Sequence, residues 1–214
     1  MADERVNARQ LDAIILRVCG PSLEEIGFTH IHRRLWVRSI KGPIREVIRL
    51  ETASPFWGFS LDYAPHVWYS NNSRVEWHNT EANVVFDLAY SPRYNQDRKM
   101  WWEIDDWHGV EKAQQSTEQW LSPTLTSAQA VFNEVQSVKD MLPLFKVKID
   151  HPHIFENSVQ CRLAYAFTFA RLGREIEGRE QLALFKAAYR MLPRATSREL
   201  DKHFDALLAL QRPL

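Results

Sequence analysis

The sequence predicts an α+β protein: a mostly antiparallel sheet packed against N-terminal and central helices, with a C-terminal three-helix unit alongside. Three observations predict it. Residues 28–64 hold aromatic and β-branched residues in three runs, 28–40, 44–52 and 57–64, punctuated by Lys41-Gly42-Pro43 and Ser54-Pro55. Apolar residues recur at helical spacing on both sides of that stretch, which supplies cover for the apolar face of such a meander. Hydrophobic residues make up 45% of the 214, enough to build a core.

Leu11, Ile14, Ile15 and Val18 fall on one face of a helix over residues 7–19. Gly20-Pro21 should interrupt it, because proline lacks the N–H and clashes with the preceding turn. Ser22 and Glu25 then read as a capping box for a short turn ending at Gly27. In the run 44–52, Ile44, Glu46, Ile48 and Leu50 alternate with Arg45, Val47, Arg49 and Glu51, the pattern of a strand with one largely buried face. Phe59, Leu61 and Tyr63 alternate with Ser60 and Asp62 in the same way. Residues 65–83 form either an aromatic-rich loop or an irregular strand pair, and strand character returns at 83–89. Residues 91–99 read as a loop and 101–108 as a further amphipathic strand.

Helical spacing resumes after Gly109. Pro123 should stop a helix over 114–121, and Ser127 should cap another that runs through Met141 and Leu142 to Pro143. Residues 145–152 read as a seam between a domain at 7–145 and a helical unit at 155–212. In that unit, helices run over 159–172, ahead of Gly173, over 177–191, and from a cap at Ser197. Residues 159–172 also alternate like a strand, but Ala164, Ala166 and Ala170 and the length favour helix.

Lys and Arg number 27, as do Asp and Glu, so the formal net charge is zero. That balance disfavours nucleic acid or an anionic membrane as a bulk partner. Cys19 and Cys161 each sit in an apolar helical pattern, as reduced buried thiols would. No apolar run approaches the length of a bilayer span, and the first residues lack the basic-then-apolar order of a signal peptide. The chain therefore reads as cytoplasmic.

A helix, then Gly27-Phe28, then Leu35-Trp36-Val37-Arg38, then Val47-Ile48-Arg49-Leu50-Glu51, then Phe59-Ser60-Leu61-Asp62 make a recognisable succession. Over residues 7–145 it resembles the bacterial domain of unknown function 4304. The resemblance implies a strand meander closed by a helix, and it brings no catalytic residue with it. Two Trp-rich inserts make the middle longer than that family's pattern, and the helices after His151 lie outside the likeness. Some small bacterial α+β domains of this kind resemble immunity or partner-binding proteins of toxin systems, an analogy at the level of fold.

Tryptophan, at eight copies, is the compositional oddity. Trp57, Trp68, Tyr69, Trp77, Trp101, Trp102 and Trp107 are either core or the lining of a recognition surface. Glu103, Asp105, Asp106 and His108 form an acidic cluster among them. On a strand such a cluster can bind Mg²⁺ or act as general acid and base, with the indoles lowering the dielectric. The plainer reading is an edge strand with its charges outward. His30 and His32 on a strand, and His151 and His153 in an extended segment, have chelate spacing but no thiols or carboxylate cluster nearby in sequence. Arg33, Arg34, Arg38, Lys41, Arg45 and Arg49 interleave with Trp36 in a stripe that can track phosphates. Glu46 and Glu51 close by favour a solvated sheet face instead. There is no Gly-x-Ser-x-Gly, no phosphate-cradling loop and no His-Glu-x-x-His, and the chain has only seven glycines.

These features favour a non-enzymatic protein-binding domain over an enzyme, with no metal or other cofactor. Its surface combines Trp68, Tyr69, Trp77, Trp101, Trp102, Glu103, Asp105 and Asp106. An acidic, aromatic surface suits a basic partner such as a nuclease toxin. The alternatives are a metal-dependent enzyme using Asp105, Asp106 and His108 with His66 or His78, and a nucleic-acid adaptor using the arginine stripe.

Overall fold

A computed structural model describes residues 5–50, 55–68, 74–77, 84–90, 109–151, 158–189 and 192–211. The fold is α+β. In chain order the elements are α1 (Ala8–Glu25), β1 (Thr29–His32), β2 (Leu35–Lys41), β3 (Ile44–Leu50), β4 (Pro55–Leu61), β5 (Pro65–Trp68), β6 (Arg74–Trp77), β7 (Leu88–Tyr90), α2 (Val110–Asn133), α3 (Met141–Asp150), α4 (Ser158–Arg171), α5 (Glu175–Ala188) and α6 (Arg194–Ala209). An antiparallel five-stranded sheet has the order β1-β2-β3-β4-β7, and β5 and β6 form a separate antiparallel pair. Two compact units interleave along the chain. One holds residues 1–40, 46–58 and 89–134, the other 41–45, 59–88 and 135–214.

In the first unit, α1 opens on a capping box. The Asn7 side chain accepts from the N–H groups of Arg9 and Gln10, and the Gln10 side chain accepts from the Asn7 N–H. The helix runs through Pro21 rather than stopping at Gly20. Pro21 is on the exposed side, and the buried stripe Leu11, Ile14, Ile15, Cys19 and Leu23 continues past it. Burying Leu23 contributes about 1.5–3 kcal/mol, comparable with the roughly 3 kcal/mol that an interior proline costs. The helix stops at Gly27, where φ is 90°. There the N–H groups of Gly27 and Phe28 turn back to the carbonyls of Glu24 and Leu23.

The long strand expected over 28–40 is a hairpin instead, turning at Arg33 with φ 47°. β3 was expected to bury one face. It is buried along its length except at Arg49, and β4 except at Phe56. Strands covered on both sides must pair their polar side chains, and the ion pair of Arg38 with Glu46 does so in this unit. α2 is one helix through Pro123, where two were expected. Thr117, Trp120, Leu121, Thr124, Ala128 and Phe132 form an inner stripe that spans the proline, which is exposed. Ser127 therefore lies mid-helix and caps nothing.

In the second unit, residues 145–150 are helical, so the expected seam does not begin there. Pro143 stands in the first turn of α3, where its missing N–H has no intrahelical partner to lose. α4 is a helix, as Ala164, Ala166 and Ala170 suggested, and all three are buried. Gly173, φ 71°, follows it, and the N–H of Arg174 returns to the Phe169 carbonyl. α6 starts at Arg194, ahead of the expected cap at Ser197. Of residues 65–83, 65–68 and 74–77 take the strand-pair alternative, and 69–73 and 78–83 lie outside the described residues. Cys19 and Cys161 are free and buried, as expected. Among the described residues, no helix is long and apolar enough to cross a membrane.

Gly178 of α5 marks a close approach. A Cβ there would stand 2.7 Å from Phe204 Cζ and 3.1 Å from the Ala166 carbonyl oxygen. Phe204 is fully buried and meets Phe167 edge-on, 5.8 Å between centroids. Gly178→Ala is therefore expected to cost about 1–3 kcal/mol, despite alanine's better helix propensity. Denaturant unfolding of G178A checks this, and equal or greater stability would contradict it.

Candidate functional site

Five of the eight residues of the expected surface fall in one stretch of sequence, between β7 and α2. Among the described residues, β7 is an edge strand of the sheet. Asp87, just before it, is held from both ends: its N–H donates to the Phe59 carbonyl, and its carboxylate accepts the Leu61 N–H at 2.7 Å. α2 begins after Gly109, whose φ of 87° and ψ of 141° disfavour any residue with a Cβ. The Ala113 N–H closes on the Gly109 carbonyl, and Glu111 in the first turn meets the positive end of the helix. Residues 91–108 fall between β7 and α2 in sequence. They include Trp101, Trp102, Glu103, Asp105 and Asp106, which with Tyr69 lie outside the described residues. The other two, Trp68 and Trp77, end β5 and β6. The register pairs Trp68 with Arg74 and Trp77 with Pro65.

The remaining candidates separate. A register shift falls between His30 and His32, which breaks the alternation that a chelating pair needs. His30 packs on Trp36 at 5.0 Å between centroids, and its Nε2 is 2.7 Å from the Arg33 carbonyl oxygen. His66 is buried on β5, while His78, Asp105, Asp106 and His108 lie outside the described residues. Among the described residues, no three His, Cys, Asp or Glu side chains come together as a metal site. Three of the six basic residues of the arginine stripe pair with carboxylates. Arg34 pairs with Asp12, Arg38 with Glu46 and Arg45 with Asp62.

Three tryptophans have described side chains, and all are interior: Trp36, Trp57 and Trp120. Trp57 is thus core rather than surface. The indole N–H groups of Trp36 and Trp57 find no hydrogen-bond partner among the described residues.

Buried polar groups of the second unit were not legible beforehand. Gln160 on α4 accepts the Val67 N–H and donates to the Pro65 carbonyl, completing the edge of β5 as a neighbouring strand would. Tyr63 and Thr168 hydrogen-bond at 3.2 Å, and the Cys161 thiol donates to the Asp87 carbonyl. Burial pushes the Cys161 thiol up to about 11 and the Cys19 thiol up to about 12. Both stay protonated near neutrality, the opposite of an activated nucleophile. Burial also pulls the Lys148 ammonium down to about 8. The signal for Lys148 was present as a helical stripe with Met141 and Phe145, obscured by taking 145–152 for a seam.

No protein-family model, curated protein or solved structure matches the chain.

Proposed function

We propose that this chain is a non-enzymatic protein-binding domain of the cytoplasm, an immunity-type partner of a basic protein such as a nuclease toxin. Its contact surface combines Trp68, Tyr69, Trp77, Trp101, Trp102, Glu103, Asp105 and Asp106. The observation that carries the reading is the division of the tryptophans. The described interior is filled by Trp36, Trp57 and Trp120. The densest run of indoles and carboxylates lies between β7 and α2 in sequence, outside the described residues. Connections positioned by rigid elements are where binding residues concentrate. Tryptophan supplies anchors there, and the carboxylates steer a basic partner.

The described polar groups support the same reading. Glu46, Asp87, Gln160 and Thr168 are engaged in holding strands and helices. The resemblance to the domain of unknown function 4304 adds the analogy with immunity proteins. Affinity purification from the native host under several growth conditions is expected to recover one basic protein, retained less as salt rises. Recovery of no protein partner would overturn the proposal.

A further inference from the structure

A strand at the edge of a sheet leaves a row of backbone donors and acceptors open, and native chains close, shorten or distort such edges. Among the described residues, this chain does so at β1, β7 and β5. β1 carries a register shift between His30 and His32, and β7 is three residues long. The outer edge of β5 is closed by the buried side chain of Gln160, which accepts the Val67 N–H and donates to the Pro65 carbonyl. β6 shows none of these devices. Its register with β5 is unbroken over Arg74, Val75, Glu76 and Trp77, no described strand lies beyond it, and Val75 and Glu76 are only half-buried.

The direction of its main chain follows from Gln160. The Val67 N–H turns to Gln160, so Val67 and Val75 are a non-hydrogen-bonded pair. The ladder bonds of β5 and β6 belong to the pairs on either side, His66 with Glu76 and Trp68 with Arg74. The N–H and carbonyl of Val75 therefore face the open edge.

We propose that this edge is a self-association surface, on which β6 pairs antiparallel with β6 of a second copy about a twofold axis at Val75. An antiparallel pair centred on Val75 sets Arg74 of each copy opposite Glu76 of the other. Opposite charges directly across two strands stabilise the pair, and like charges weaken it. The sequence around Val75 is thus complementary to itself, as an isologous contact requires. At the axis the two Val75 residues exchange main-chain hydrogen bonds, and valine suits a strand. The result is one four-stranded sheet, β5-β6 of one copy continued by β6-β5 of the other. Gln160 already closes each outer β5 edge, which ends the assembly at two copies.

Sedimentation equilibrium of the intact chain tests this. A four-residue edge is a small contact, so the expected result is a reversible monomer–dimer equilibrium with Kd on the order of 100 μM. Arg74→Glu and Glu76→Arg each put like charges across the axis and should weaken the dimer at least about tenfold. Mixed in equal amounts, R74E and E76R should pair with each other, because each then meets the opposite charge. V75P removes the outward N–H, spares the ladder bonds to β5, and should be monomeric at unchanged Tm. A wild type that stays monomeric throughout, whether or not another protein covers the edge, would overturn the proposal. So would a dimer indifferent to V75P and to both charge variants, or charge variants that fail to pair on mixing. Should V75P fail to fold, the mixing of R74E with E76R decides.

Discussion

Arg38→Met is expected to lower stability by about 3–5 kcal/mol near pH 8, with a fall in Tm on the order of 10 °C. Arg38 is the hub of the first unit. Its guanidinium donates to Glu46 at 2.5 Å, to the Ile26 carbonyl at the end of α1, and to Gln129 of α2 at 3.4 Å, and it lies over the Phe28 ring. Glu46 is 2% exposed. Removing the arginine leaves a carboxylate in the interior, and that residual charge is the larger cost. Burial already pushes the Glu46 carboxyl above its ordinary range, and the Arg38 hydrogen bond and charge pull it back. Without Arg38 it rises further. A carboxyl raised in the folded state contributes most below its ordinary value and loses that contribution as pH climbs through the folded value. The deficit of R38M should therefore shrink from pH 8 to pH 5, and R38M/E46L should recover most of it. A loss below about 1 kcal/mol for R38M would show that Glu46 does not depend on its partner.

Trp57→Ala is expected to cost a similar amount, about 3–5 kcal/mol, through the cavity it opens in β4. Trp57 is fully buried on a strand with almost no exposed position. Trp57→Phe should cost far less, on the order of 1 kcal/mol. The phenyl ring keeps most of the volume and removes an indole N–H that has no hydrogen-bond partner among the described residues. Equal losses for W57A and W57F would place the cost in the N–H rather than in packing. Urea unfolding of both variants separates the two cases.

The α+β class and most elements were legible because periodicity reports which faces are buried. Leu11, Ile14 and Ile15 mark α1, where Val18 of the expected face is only half-buried, and the alanines of α4 decide an ambiguous alternation. Prolines misled at Pro21 and Pro123. A proline on the exposed side of a helix breaks one hydrogen bond but not the inner stripe, so tertiary burial outweighs the local rule. The alternation in β3 was read as one buried face because Arg45, Arg49 and Glu51 share the side opposite Ile44, Ile48 and Leu50, yet Arg45 and Glu46 are both buried. Their ion pairs with Asp62 and Arg38 let both faces be covered. Gln160 and Asp87 act across long sequence separations, where no local pattern announces them. The acidic and aromatic residues of 101–106 were singled out by composition alone and lie outside the described residues.

The central claim is that the tryptophan- and acid-rich run at 101–106 grips another protein. Quantitative co-purification from the native host, with wild type beside W101A/W102A/D105N/D106N, tests it most directly. The wild type is expected to retain one basic protein near equal molar ratio, and the variant, at unchanged Tm, to retain at least about tenfold less. Equal retention by the two chains, or no protein retained by either, would contradict the claim.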